Sequence, residues 1–535
     1  MTNGLELGDV YDATIGRIKA QDGDKSRLGM TVLMWISHVE RPLRADELCH
    51  ALAVQLGSRD FDVGNIPSIS TLVSCCQGLI TVDKEASTVR LVHFTLQEYL
   101  SSRPDIFTKP HSAIAEICLT YLNSQQIKEI STANSIDTRN APFLEYCSVY
   151  WGVHAKRTPS DYGISLALEL LKENYGQIST KLLLTGINNF YSWGSDISEF
   201  SGLHCASFFG IVEVVTGLIE MEYYDINQGD SSGCTPLAWA ARNGHDGLVK
   251  ILLRREEVSQ DKADNCGQTP LSLAAQQGQE GVVKILLGGK EVNPDKPSRD
   301  GQTPLAVAAW YGHEEVVKML LEREEVNPDK PHDDGLTPLS YAAWNGHEGV
   351  VKILLGLEAV NPDGPDNHGR TPLSHAARWG PEGVTKMLLE REEVNPDGPD
   401  NFGRTPLSWA AEEGEEAAVK ILLGREEVDP DKPDDDGLTP LSYAAENGFE
   451  GVVKILLRLE RVNPYKPDNF GRTPLSYAAW YGSEEVVKIL LGREEVDPDK
   501  PDNDGKTPLW YATSNGHKRA AELLQSHKEV SPSTI

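Results

Sequence analysis

The tripeptide Thr-Pro-Leu returns every 34 residues through the second half of this 535-residue chain. Its nine threonines are Thr235, Thr269, Thr303, Thr337, Thr371, Thr405, Thr439, Thr473 and Thr507. A degenerate copy, Ser201-Gly202-Leu203-His204-Cys205-Ala206, lies one period before the first of them. A fixed period of this length predicts an array of about ten small units, stacked so that each unit contacts only its neighbours.

The residues within one period predict a pair of short helices. In the copy TPLSYAAWNGHEGVVKILL, Thr337 is suited to cap the first helix and Pro338 to occupy its first turn. Gly346 is suited to end that helix, and residues such as Val350 and Leu354 give the second helix an apolar stripe. Two short helices cannot shield this stripe alone, so neighbouring units must bury it.

This period and its signature resemble the ankyrin repeat. The resemblance covers residues of about 201–525 and implies a mostly α fold, with an ankyrin-repeat α-solenoid over residues 196–535. Serine commonly replaces the histidine that follows the signature in that family, as at Ser272, Ser340 and Ser374. The resemblance also implies that partner proteins bind to the concave face and the hairpin tips.

In ankyrin proteins the two residues before the helix-ending glycine usually face the groove. Exposed tryptophan and tyrosine are unfavourable unless used, and both are enriched at interface hot spots. The predicted protein-binding residues are a first patch of Trp310, Tyr311, Trp344, Arg378 and Trp379, and a second patch of Trp480 and Tyr481. Glu412 and Glu413 form an acidic gap between them, and copying of these residues by repeat duplication without selection is the alternative explanation. Five further rings are predicted to lie in the core: Trp239, Trp409, Tyr341, Tyr443 and Tyr477.

The first hundred residues have the pattern of a winged helix. Residues 28–100 predict three helices, a β-hairpin over 79–82 and 88–92, and a further helix. Leu48, Leu52 and Leu56 are expected to share one face of the second helix, and Thr95 with Glu98 to form a capping box for the last. We therefore assign residues 1–104 to a winged-helix domain and 105–195 to a helical linker.

The strings around Trp35, Arg41-Pro42-Leu43 and Val92-His93-Phe94-Thr95 resemble a winged-helix segment labelled after GPI inositol deacylase. In fungal proteins this segment follows a NACHT ATPase and precedes a helical linker and ankyrin repeats. The linker resemblance includes Phe143-Leu144-Glu145-Tyr146. The resemblance implies the recognition arm of a fungal NLR-like receptor. Arg44 stands where the family often has a serine or threonine cap, so the second helix is expected to start less firmly.

No G-x-x-x-x-G-K-[ST] phosphate loop occurs in the sequence. Gly505-Lys506-Thr507 imitates its end, but Lys500 stands where the first glycine belongs. The ATPase is therefore expected to be missing from this chain, which is either a short paralogue or a fragment of a NACHT receptor.

Three motifs resemble chemical sites without meeting their requirements. Residues 229–233 fit G-x-S-x-G, but the repeat frame places them in a hairpin turn and not in a strand-to-helix elbow. The acidic tip at residues 431–437 puts Lys432 at the first ligand position of a calcium loop. One repeat position carries a histidine in four units, at His245, His313, His347 and His517. Successive units would hold these side chains roughly 10 Å apart, which is too far for a shared zinc. We expect the histidines to bond local backbone instead. The sequence predicts no catalysis, no cofactor and no metal.

The charge of −30 is uneven, with −6 over residues 1–200 and −24 over residues 201–535. This field repels nucleic acid and anionic lipid and would favour a basic protein partner. DNA binding by the winged helix is the alternative, but Ser68 to Gln77 lacks basic residues, and the wing sets Lys84 and Arg90 against Asp83 and Glu85.

The eight cysteines are scattered, and the sequence shows neither a signal peptide nor a stretch of 18 apolar residues. We expect an intracellular protein, cytoplasmic or nuclear, with no membrane insertion.

Overall fold

The computed structural model describes residues 7–58, 60–83, 85–132, 140–172, 182–183, 199–221 and 224–530. The chain divides into two compact units, residues 1–265 and residues 266–535. Both units are mostly helical, and the sheet found in the described residues has two strands. The predicted mostly α fold class is confirmed.

The first unit opens with the predicted order of a winged helix. Its elements are α1 (Leu7–Lys19), α2 (Gly23–His38), α3 (Ala45–Ala53), a 3-10 turn (Val63–Asn65), α4 (Ile69–Cys75), β1 (Ile80–Val82), β2 (Val89–Leu91) and α5 (Phe94–Ser102). The two strands are antiparallel, with Ile80 opposite Leu91 and Val82 opposite Val89.

Two local expectations for this region need correction. The second predicted helix ends at Ala53, so Leu56 lies beyond it and is exposed. His93, and not Thr95, caps α5, because its ring nitrogen accepts the Thr95 N–H. Arg44 forms no side-chain cap at the start of α3, as expected, and the buried Glu47 carboxylate accepts the Arg44 N–H at 2.7 Å.

Four helices follow the winged helix in the described residues: α6 (Pro110–Asn123), α7 (Gln125–Thr132), α8 (Leu144–Arg157) and α9 (Asp161–Lys172). The ring of the fully buried Trp35 on α2 lies edge-on to Phe143 at 5.6 Å and to Tyr146 at 6.3 Å. This aromatic packing joins the winged helix to α8. Three parts of the predicted linker lie outside the described residues, namely 133–139, 173–181 and 184–195.

The helix pairs begin within the first unit. Its two pairs are Gly202–Phe209 with Val212–Glu220, and Pro236–Arg242 with Asp246–Leu252. The degenerate sequence at Ser201 therefore does form a helix pair, as its position in the period predicts.

The second unit consists of further helix pairs in the same period. They are Pro270–Gln276 with Glu280–Leu287, Pro304–Tyr311 with Glu314–Leu321, Pro338–Asn345 with Glu348–Leu355, Pro372–Trp379 with Glu382–Leu389, Pro406–Glu413 with Glu416–Leu423, Pro440–Glu446 with Glu450–Leu456, Pro474–Tyr481 with Glu484–Leu491, and Pro508–Ser514 with Lys518–Val530. Within this unit each first helix packs against the first helix of the next pair, and second helices do the same.

The predicted caps and stripe explain each pair. The Thr337 hydroxyl accepts the Ser340 N–H at 3.2 Å, and Gly346 ends the helix in the left-handed region with φ of 74°. A side chain there would be strained, which is why glycine ends the helix. Val350 and Leu354 are fully buried against neighbouring pairs.

Candidate protein-binding surface

The aromatic residues at the ends of the first helices lie partly in water. The exposed fraction is 48% for Tyr311, 51% for Trp379 and 52% for Tyr481. Each of these residues directly precedes the glycine after its helix. In these three repeats the backbone therefore presents a large ring at the same structural position.

Trp310 and Trp344 are only half-buried, and they form the base of the first patch. Their ring centroids lie 5.8 Å apart, and the Trp310 ring also meets the buried Tyr341 at 5.0 Å. The Trp344 ring stacks on His375 at 5.1 Å. These contacts hold both indoles in place, so their free faces are fixed before any partner arrives.

Arg378 lies between rings and not free in the groove. Its guanidinium carbon is 4.8 Å from the Trp379 ring centroid and 4.2 Å from that of Trp409. It also forms an ion pair of 2.9 Å with Glu413. The arginine thus orients Trp379 and neutralises an acid.

The predicted acidic gap is paired with arginine side chains. Glu413 contacts Arg378, and Glu412 lies 3.6 Å from Arg404. Arg404 in turn stacks 3.5 Å from the Trp409 ring centroid. The gap therefore separates the two patches by an ion-paired surface, which carries less free negative charge than the sequence suggests.

The second patch borders an open cavity of about 350 Å³. Trp480 lines this cavity and stacks on Tyr511 at 4.8 Å, while Tyr481 stacks on Trp480 at 6.1 Å. Arg472 and Lys506 stand on its rim with Asp504. The cavity adds aromatic and charged groups that the pattern before the glycine does not reveal.

The rings predicted to be core are buried. Trp239, Trp409, Tyr341, Tyr443 and Tyr477 are 2–8% exposed, so this prediction is confirmed. In several units the ring bonds an aspartate nine residues earlier, as Tyr477 does with Asp468 at 2.7 Å. The other oxygen of Asp468 accepts the N–H groups of Phe470 and Arg472. The Asp468 carboxylate thus stabilises the hairpin turn and links it to the first helix. Burial, together with the hydrogen bond to Asp468, raises the pKa of Tyr477.

The recurring histidines bond backbone, but not that of their own repeat. The Nε2 atoms of His245, His313 and His347 lie 2.7–3.0 Å from the carbonyl oxygens of Phe208, Gln276 and Trp310, each in the preceding repeat. Because a carbonyl only accepts, Nε2 carries the proton. The expectation of a local bond is therefore wrong, and His347 instead holds the backbone of Trp310 in the binding patch.

The other look-alike motifs have structural explanations. Residues 229–233 form a hairpin turn closed by the Gly233 N–H on the Asp230 carbonyl, so no strand leads into them. In the acidic tip, Lys432 donates to Asp397, and Asp434 accepts backbone N–H groups of its own turn. In the winged helix Arg90 lies 3.8 Å from Asp83, and Lys84 lies outside the described residues.

A cluster of possible metal ligands lies in the first unit. One ligand atom each from Glu40, His111 and His154 fits within 4.8 Å. However, Arg157 donates to both carboxylate oxygens of Glu40. The Nδ1 atoms of His111 and His154 lie 2.8 Å apart, which is a hydrogen-bond distance. Tyr146 bonds the remaining nitrogen of His154 at 2.9 Å. These contacts form a partly buried hydrogen-bonded cluster, in which His154 is the buried member. Burial, with the charges of His111 and Arg157, lowers the pKa of His154 to about 3.

Stacked helix pairs joined by capped hairpins define an α-solenoid, a class that presents extended surfaces to partners. The family model described as ankyrin repeats in three copies matches residues 170–261, 203–295, 248–332, 323–400, 392–468 and 459–534. The chain therefore belongs to the ankyrin-repeat family. The model described as the winged helix domain of GPI inositol-deacylase matches residues 18–110. A search of curated proteins found no match to the chain.

Ankyrin repeats support a role as a protein-interaction scaffold. Across the described residues, none of the helices combines the length and the apolar character needed to cross a bilayer.

Proposed function

We propose that this chain is a non-catalytic recognition arm that binds a partner protein through the first patch. The observation that carries the proposal is the pair of half-exposed rings, Tyr311 and Trp379, flanking the fixed indoles of Trp310 and Trp344. Large rings kept in water are typical of hot spots. Because packing already immobilises the indoles, a partner loses less entropy on binding them.

The partner is proposed to be basic. Residues 201–535 carry a net charge of −24, and complementary charge accelerates association and excludes acidic competitors. Raising the salt concentration should therefore slow capture of the partner.

The experiment removes exposed rings without disturbing packed ones. Immobilised full-length chain captures proteins from an extract of the source cells, and the doubly substituted Tyr311→Ala, Trp379→Ala chain should recover them about tenfold less, a loss of about 1.4 kcal/mol. Trp344 is left intact because its ring packs on the core.

A matched control removes two exposed rings that lie outside both patches. Tyr162 is 41% exposed and Phe94 is 67% exposed. The Tyr162→Ala, Phe94→Ala chain should capture the same proteins as the unchanged chain. Equal recovery by both double variants, at unchanged melting temperature, would show that the patch does not bind.

A finer role rests on the family resemblance. We propose that the winged helix couples this arm to a NACHT-type switch in an NLR-like receptor, which the order of winged helix and ankyrin repeats on one chain favours. Sequencing the full transcript tests this role. A phosphate-loop exon spliced in frame supports it, and a transcript that encodes another module there contradicts it.

A further inference from the structure

The hairpins between repeats carry a repeated contact between a lysine and an aspartate. The hairpins contain a segment such as Val326 to Pro331, which we call the finger, and most fingers have an aspartate at the fourth position. The lysine of the next finger donates to this aspartate at both its carboxylate and its own backbone oxygen. The pairs are Lys330 with Asp295 at 2.8 and 3.0 Å, Lys432 with Asp397 at 2.9 and 2.8 Å, and Lys466 with Asp431 at 3.3 and 2.7 Å.

These two oxygen ligands define an ammonium slot, and two neighbouring slots lack their lysine. Gly364 and Gly398 stand where the lysines for Asp329 and Asp363 would be. In the part of the chain that the structure describes, neither aspartate forms an ion pair. The buried Oδ1 is unbonded in filled and lysine-free slots alike, so the two kinds of slot differ at Oδ2, which the lysine contacts in the filled ones. The other oxygen of Asp329 accepts the Asn361 N–H at 3.3 Å.

The vacant slots could hold a longer side chain. A Cβ atom built on Gly364 would come no closer than 3.4 Å to Asn361, and one on Gly398 no closer than 3.5 Å to Asn395. These are ordinary packing distances. Steric crowding therefore does not explain the two glycines.

The aspartate is not required by the finger itself. Tyr465 occupies the same position one finger before Lys500, so the chain tolerates loss of the carboxylate. A partly buried carboxylate without a cation is unfavourable. Burial raises the pKa of both Asp329 and Asp363, as it does for the lysine-paired Asp397 and Asp431. Retention of both aspartates without their lysines is explained if the ammonium comes from another molecule.

We propose that the slots of Asp329 and Asp363 bind two lysine side chains of the partner protein. This inference rests on the proposed function and names the chemistry of the partner. The slots belong to the repeats that begin at Thr303 and Thr337, which also carry Trp310 and Trp344. At about 10 Å per repeat, the two lysines stand three positions apart in a polyproline II segment, which rises about 3.1 Å per residue and returns its side chains to the same face every third residue. The slot suits a lysine ammonium as a compact point charge.

The test uses a fluorescein-labelled peptide, Gly-Ser-Lys-Ser-Ser-Lys-Ser-Gly, titrated with the full chain and followed by anisotropy. Replacing both aspartates in the Asp329→Asn, Asp363→Asn chain should weaken binding about tenfold, equivalent to about 1.4 kcal/mol. The control chain, Asp397→Asn with Asp431→Asn, removes the same charge from slots that their own lysines fill. It should bind within about twofold of the unchanged chain.

A second variant fills the slots from within. Gly364→Lys with Gly398→Lys places the chain's own ammonium groups at both carboxylates and should also abolish binding of the peptide. The same peptide with acetylated lysines should not bind, because acetylation removes the charge.

Equal weakening by both aspartate double variants would show a general charge effect and overturn the proposal, as would undiminished binding by the slot-filling variant. Displacement of the peptide by calcium, but not by sodium at the same ionic strength, would assign the slots to a divalent cation instead. The Tyr311→Ala, Trp379→Ala chain keeps both slots, so it should still bind the peptide. A failure of the aromatic patch is therefore distinguishable from a failure of the slots.

Discussion

Replacing Lys432 by methionine isolates the energy of one filled slot. Methionine keeps most of the apolar stem and removes the ammonium that contacts Asp397 through two bonds of 2.9 and 2.8 Å. The lysine side chain is 32% exposed and the aspartate side chain 14% exposed, so the pair is partly shielded from water.

The expected loss of stability is the difference between the attraction of the two charges and the costs of ordering and desolvating them. At an effective dielectric constant of about 20, unit charges about 4 Å apart attract by about 4 kcal/mol. Ordering the lysine side chain costs about 2 kcal/mol, and partial desolvation removes more. We therefore expect Lys432→Met to lower the free energy of unfolding by about 1.5 kcal/mol, within the range for a charged hydrogen bond. Protonation limits the loss, because burial already raises the pKa of Asp397.

The chain supplies its own control for this measurement. Lys500 occupies the same finger position, but Tyr465 replaces the aspartate it would contact. Lys500→Met should change the free energy of unfolding by less than about 0.5 kcal/mol. Urea unfolding followed by far-UV circular dichroism compares both variants at equal protein concentration. Equal shifts in the two midpoints would refute the argument that the slot stabilises the array.

Three further outcomes are expected. Gly364→Lys with Gly398→Lys should raise the free energy of unfolding by about 1 kcal/mol per site through a new ion pair, and a lowered urea midpoint would contradict this. Thr337→Ala should cost about 1 kcal/mol because the Ser340 N–H loses its cap, whereas Thr337→Ser should stay near the original midpoint. Burial lowers the pKa of His154 from its ordinary value of 6.5 to about 3. Below pH 6.5 the unfolded chain therefore binds a proton that the folded chain does not, and the free energy of unfolding falls as the pH drops towards 3. Melting curves between pH 7.5 and 5 should show this loss, and an unchanged pH dependence in His154→Gln would contradict it.

The sequence was a reliable guide where a single repeat determines the structure. Thr337 caps, Gly346 ends a helix, and the ring at Tyr341 is buried, because each of these roles depends on residues close in sequence. The winged-helix order was predictable for the same reason. Thr95 is not the cap because α5 begins at Phe94, which places Thr95 inside the helix, and the ring of His93 accepts the Thr95 N–H. The local pattern offered two residues that could act as the cap.

Contacts between repeats were missed because they join residues about 35 positions apart. His347 bonds Trp310, and Lys330 bonds Asp295, yet no local pattern links the partners. The available signal lies in aligning successive periods and comparing one column with the next. That comparison would have shown Gly364 and Gly398 as interruptions in a column of lysines.

The exposed rings and the vacant slots fall on the same part of the array. The repeats starting at Thr303, Thr337 and Thr371 carry the first patch, and the two fingers that connect them hold the unpaired aspartates. Beyond Gly398 the fingers regain their lysines, and Glu412 and Glu413 are ion-paired. Three repeats at about 10 Å each span roughly 30 Å, a length compatible with a standard interface of about 800 Å² per partner. A partner segment that places apolar groups on the rings and lysines in the slots would therefore satisfy both features within one interface.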